Sequence, residues 1–193
     1  MKKIPVWAWI LGVVVVLGLW TMSSYNGLVS SKGRVDNSWA QVEVQYQRRA
    51  DLVPQLVATV QGAADFESST LEDVTKARTN WLNVSQDSAA TLSDQIASSN
   101  AFDSAMYRLL VSVESYPTLT ATEGFQTLQS QLEGNENRIS VARKDFNDSA
   151  TTYNVKIKTI PTMFVASLFG FDAYPLFEAS DGSEVAPTIE FTK

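Results

Sequence analysis

Residues 25–66, YNGLVSSKGRVDNSWAQVEVQYQRRADLVPQLVATVQGAADF, step through apolar positions by threes and fours. The series is Tyr25, Leu28, Lys32, Val35, Trp39, Val42, Tyr46, Arg49, Val53, Leu56, Val60 and Ala63, with Lys32 and Arg49 as its two polar members. This period belongs to a helix, and a strand would alternate. At about 1.5 Å per residue the helix is about 60 Å long. Its seam needs a partner from later in the chain.

Residues 125–160 supply one. Phe125, Leu128, Leu132, Asn135, Ile139, Ala142, Phe146, Ser149, Tyr153, Lys156 and Ile160 repeat the same steps. Two runs of similar length predict two long staves of an antiparallel bundle. In register, paired positions carry numbers that add to about 185. Arg49 then faces Asn135 and Glu136, with Glu133 one turn away. A guanidinium on an apolar seam needs acceptors, so Arg49, Glu133, Asn135 and Glu136 are expected to form a polar layer at mid-bundle. The simplest role for that layer is to fix register. The alternatives are a ligand or partner site, or an Arg49 that snorkels to water.

In the 193 residues there is no Cys and no His, and the net charge is −6. Without these side chains there is no disulfide, thiol nucleophile, Ser-His-Asp triad or His-bearing metal site. The carboxylates are scattered and lack the spacing of a calcium loop. No cofactor or metal is expected, and no catalytic residue is assigned. An acidic body also argues against nucleic acid as a partner, because that binding needs Lys and Arg.

Ile4–Met22, IPVWAWILGVVVVLGLWTM, carries no charge and has the length that spans a bilayer. Trp7, Trp9 and Trp20 lie near its ends, where indole rings favour the interface. Lys2 and Lys3 precede it, and no A-x-A cleavage site follows. Residues 1–24 therefore read as an uncleaved membrane anchor. The nearer positive cluster favours a cytoplasmic N-terminus and an extracytoplasmic body.

Between the staves, Ser69-Thr70-Leu71-Glu72 and Thr120-Ala121-Thr122-Glu123 read as helix caps. Residues 85–100 are weakly patterned, and helix returns with Phe102, Met106, Leu109, Leu110 and Val113 before stopping at Tyr116-Pro117. Pro54 should kink the first stave near Asp51 and Leu52, and Gly27 or Gly33 could bend it. Arg138, Arg143, Lys144, Asp145 and Asp148 form a charged stripe, read as a solvated face with pairs such as Lys144 and Asp148. Thr162–Ala179 crowds aromatic and aliphatic residues around Gly170 and Pro175. Phe164, Leu168, Phe169, Phe171, Tyr174 and Phe177 are its candidate interaction surface. Three positions are open to it: capping the membrane-proximal end of the bundle, resting on the bilayer, or packing on a neighbour. Residues 180–193 are a polar, acidic tail.

Three blocks, 25–62, 116–154 (YPTLTATEGFQTLQSQLEGNENRISVARKDFNDSATTYN) and 164–179 (FVASLFGFDAYPLFEA), together resemble the bacterial LemA family. Residues 83–105 depart from the family's more regular pattern, and 180–193 match no part of it. The resemblance implies a four-helix, up-and-down bundle behind an N-terminal transmembrane helix, with no catalytic residues. It implies an envelope protein, in some relatives one tied to organelle-like membranes, and in some descriptions an external N-terminus.

The expected fold is thus all-α. An anchor (1–24) is followed by an elongated antiparallel four-helix bundle (25–161), an aromatic membrane-proximal segment (162–179) and a tail (180–193). The expected role is a non-enzymatic, single-pass scaffold that self-associates as a homo-oligomer or recruits membrane protein partners. The alternative is an accessory or sensor subunit of a membrane protease or transporter.

Overall fold

A computed structural model describes residues 5–62 and 68–178. Lys2 and Lys3, the last turn of the first stave (63–66) and the tail at 180–193 lie outside the described residues. Among those described, the chain is helical and contains no strand. The order is α1 (Val6–Gln61), α2 (Ser68–Gln86), α3 (Leu92–Val113), α4 (Pro117–Thr120), α5 (Glu123–Lys158) and α6 (Thr162–Phe169).

α1 has 56 residues, about 84 Å at the usual rise. The apolar anchor stretch and the first stave are one uninterrupted helix, so no break marks residue 24, Gly27 or Gly33. α5 packs antiparallel along the part of α1 that follows the anchor stretch, and α2 pairs with α3 and leans on α1. The α1–α5 register follows the expected offset. Lys156 reaches Gly27 and Ser31, Trp39 meets Phe146, and Arg49 meets Asn135 and Glu136.

The seam departs from strict three-four stepping at three places. Ser31 is buried and Lys32 exposed, Ala150 is buried in place of Ser149, and Ile157 is buried while Ile160 points outward. A straight helix has 3.6 residues per turn and drifts about 20° per heptad against a 3.5 repeat. Two consecutive steps of four restore the buried face.

α1 passes through Pro54 as a helix. Proline has no N–H for the carbonyl of residue i−4, which is Ala50. Arg78 Nε from α2 donates to that carbonyl at 2.7 Å. The defect is thus repaired by a neighbouring helix.

The caps also differ from expectation. Ser69 lies inside α2, which begins at Ser68. α3 is capped by Thr91, whose Oγ1 accepts from Asp94 N while the Asp94 carboxylate accepts from Thr91 N. This box lies in the weakly patterned stretch, and its aspartate stands where glutamate is usual. At the start of α5 the cap is Thr122, within the stretch expected to supply one, and its Oγ1 accepts from Phe125 N. Pro117 takes the first position of α4, where its missing N–H is harmless.

Candidate functional site

The expected polar layer is larger than its sequence-derived members. Arg49 is 3 % exposed. Its Nε donates to Asn135 Oδ1 at 3.3 Å, and its two terminal nitrogens pair with Asp103 and Glu136. Asn135 Nδ2 in turn donates to the Gln45 carbonyl at 3.0 Å, which fixes the height of α5 against α1. Glu133 is outside the layer and accepts from Gln129, one turn back on its own helix.

Asp103 joins three helices. It pairs with Arg49 of α1 and Arg143 of α5, and it accepts from the Tyr46 hydroxyl at 2.8 Å. Burial pushes its carboxyl up, and the Arg143 and Arg49 guanidiniums pull it back. Burial and the Asp103 charge raise the Tyr46 hydroxyl well above its ordinary range, so it remains a donor. Arg143 is therefore not part of a solvated stripe. It is half-buried and lies between the Tyr46 ring at 5.4 Å and the Phe177 ring at 4.5 Å. Lys144 and Asp148 do form the exposed pair expected of the stripe, at 2.8 Å.

Asp103 and Arg143 were hidden for different reasons. Asp103 lies just after Phe102, where the returning pattern marks only the apolar positions of α3. Arg143 sits seven residues after Glu136 and so on the same side of α5, but a charge among charges reads as solvated.

Beside the layer, α3 and α5 stand apart. The cleft between them has a volume of about 880 Å³. Met106, Leu110, Val113, Phe125 and Leu132 line it, with Tyr107 and Val111 exposed at its lip. Asp103, Glu114, Glu133 and Glu136 supply carboxylates, and Arg49 lies at its inner end. It is a greasy trough with an acidic rim. No group of three Asp or Glu side chains that could hold a metal occurs among the described residues.

The aromatic segment divides in two. Residues 171–178 run back along α1 and α5 as a strap without regular structure. Two asparagines of α5 hold its backbone. Asn154 donates to the Tyr174 carbonyl at 2.8 Å and accepts from the Tyr174 N–H at 2.9 Å. Asn147 does the same for Phe177, at 2.9 and 3.0 Å. The side chains fill the seam from above. Phe177 stacks on Trp39 and meets Phe146 edge-on, Tyr174 meets Tyr153 and donates to Asp36, and Phe171 meets Tyr25. Three of the six candidate surface residues, Phe171, Tyr174 and Phe177, are thus half-buried against their own chain. Burial and the bond to Asp36 raise the Tyr174 hydroxyl above its ordinary range.

The other three remain outward. Phe164, Leu168 and Phe169 are exposed on α6, which ends at Gly170 in the left-handed conformation (φ 69°). At the opposite end of the anchor stretch, Trp7 and Trp9 are exposed, and Trp20 packs on the core. The apolar part of α1 has a mean hydropathy of 1.7 and none of it is buried. By length and composition it is a candidate membrane span.

Comparison with known proteins finds relatives by sequence. The chain is 26 % identical over 189 residues to magnetosome protein MamQ 2 of Paramagnetospirillum magneticum, covering 86 % of this chain and 70 % of the relative. It is 33 % identical over 97 residues to magnetosome protein MamQ of Magnetospirillum gryphiswaldense, covering 49 % and 36 %. It is also 26 % identical over 158 residues to protein LemA of Metamycoplasma hominis, covering 81 % and 69 %. The family model described as LemA family matches residues 38–191. The match therefore begins after the anchor, includes the divergent stretch at 83–105, and reaches into the tail, which does have a family counterpart. With that match over most of its length, this membrane-associated helical chain belongs to the LemA family.

Proposed function

We propose that the chain is a non-enzymatic, single-pass scaffold that recruits a partner protein at the membrane through the cleft between α3 and α5. The cleft carries this reading. Its volume of about 880 Å³ is bordered by apolar side chains that a soluble bundle would otherwise bury. Tyr107 and Val111 stand exposed beside it. The carboxylate rim favours an amphipathic helix with basic flanks. A second copy is a poorer fit, because the body is itself acidic.

The remaining parts serve presentation. α1 carries the body away from an inner membrane, and Lys2 and Lys3 favour an extracytoplasmic body. The polar layer holds the helices in register beneath the cleft. The accessory or sensor reading uses the same cleft, since Arg49 at its inner end offers a place for a ligand to perturb the layer.

The test is a photo-crosslinking amino acid at Tyr107 in the full chain, in its own membrane, with Val141 on α5 as the control position. A discrete heavier product from position 107 alone, containing a different membrane-associated protein, supports recruitment. A product made of two copies of this chain replaces recruitment with self-association. No product at either position overturns the docking role of the cleft.

A further inference from the structure

α6 follows α5 closely and has a face with nothing on it. Phe164 and Leu168, one turn apart on α6, are 62 % and 75 % exposed, and Ile160, just before the helix, is 70 % exposed. Val165 and Ala166, on the other side, are buried. No charged residue occurs between Lys158 and Asp172. An eight-residue helix with one side docked and the other presenting Met163, Phe164 and Leu168, with Ser167 as its polar member, is built to meet a second apolar phase.

Its place in the molecule says which phase. The Phe169 and Phe171 rings lie 4.9 and 5.6 Å from the Tyr25 ring. Tyr25 follows Met22, where the uncharged stretch of α1 closes, by three residues. That is about 5 Å along the helix. Interfacial helices sink their apolar faces about 5–10 Å into the boundary between headgroups and acyl chains. The exposed face of α6 thus lies at the height where α1 leaves the hydrocarbon.

We propose that α6 is a lipid-contacting foot, with Ile160, Phe164 and Leu168 seated in the interfacial layer of the bilayer that α1 crosses. It rests on the reading of the apolar part of α1 as a span. So short a helix would bind lipid weakly alone, but tethering beside the span makes its insertion an intramolecular event. The foot gives the body a second point of attachment. One helix lets the rod swivel and tilt, whereas two points fix which side of the bundle faces along the membrane.

The chain has no cysteine, so single-cysteine spin labels report one site each. Labels are placed at Phe164→Cys, Leu168→Cys, Val15→Cys in the apolar stretch and Val141→Cys on the exposed side of α5. The full-length protein is reconstituted in nanodiscs of phosphatidylcholine with a minority of phosphatidylglycerol. Collision rates with oxygen and with a water-soluble nickel chelate give the depth of each label. The foot predicts that oxygen exceeds nickel several-fold at 164 and 168, with position 15 deeper still and position 141 reversed. Position 15 deep with 164 and 168 aqueous overturns the foot and leaves the span. Position 15 aqueous overturns both. Labels at 164 and 168 shielded from both reagents, and broadened unless diluted with unlabelled protein, place a second copy on α6 and overturn the lipid contact.

Discussion

Arg78 on α2 donates from Nε to the carbonyl of Ala50 on α1 at 2.7 Å, replacing the bond that Pro54 withholds. Ala50 is fully buried, so no water stands in. Arg78→Met should therefore cost about 1–3 kcal/mol, the usual penalty for an unpaired buried acceptor. In a Pro54→Ala background residue 54 regains an N–H for that carbonyl, and the same Arg78→Met change should cost well under half as much. Urea denaturation of the four proteins checks this. Equal losses in the two backgrounds would show that Arg78 acts through something other than the proline gap.

The members of the polar layer should be far from equal. Arg49→Met leaves Asp103 short of one of its two cations and breaks the tie to Asn135, and should cost about 3–5 kcal/mol. Glu136→Gln removes a carboxylate whose side chain is 61 % exposed, and should cost at most about 1 kcal/mol. If Glu136→Gln proved as damaging as Arg49→Met, the layer would not be organised around Asp103.

Each strap asparagine protects one amide. Asn154→Ala should speed hydrogen exchange at the Tyr174 N–H and leave the Phe177 N–H slow, and Asn147→Ala should do the reverse. Asparagine to aspartate keeps the acceptor and loses the donor, so its effect on the amide should be smaller. Residue-resolved exchange reads this directly. Simultaneous release of both amides by either alanine variant would mean that the strap lifts as one unit.

The Thr91–Asp94 box should appear as a pH-dependent contribution. Bonds from the Thr91 hydroxyl and amide hold the Asp94 carboxyl below its ordinary value of 3.8. A carboxyl depressed in the folded state stabilises the fold fully above its unfolded pKa, and this is lost as pH falls through the lower folded value. Asp94→Asn should lower Tm at neutral pH, and the gap from the parent protein should narrow progressively as pH falls below 3.8. A gap that persists unchanged into acid would remove the carboxylate from the explanation.

The long elements were legible because they obey one period over many turns. Tyr46, Val53, Leu132, Ile139 and Phe146 declare a buried seam by spacing alone, and Arg49 opposite Asn135 follows once two seams of similar length are set head to tail. Asp103, Arg143, Asn147 and Asn154 were not legible. Each is polar, each lies on a helix flank and not on the seam, and each acquires its role from a partner twenty or more residues away. The same holds for Phe177 and Leu168, which read alike in one aromatic block. The turn at Gly170 sends the first onto Trp39 and leaves the second outside.

The amino-acid sequence by itself determined an all-helical chain, a charge-free stretch long enough to span a bilayer, and the register of α1 on α5, because these depend on period, length and charge along the chain. Only the tertiary structure decided that Arg78 repairs the proline gap, that α3 and α5 part to leave a cleft, and that the aromatic segment divides into a strap and an outward-facing helix. Those outcomes depend on which surfaces meet across the bundle, and side chains with identical local patterns meet different neighbours there.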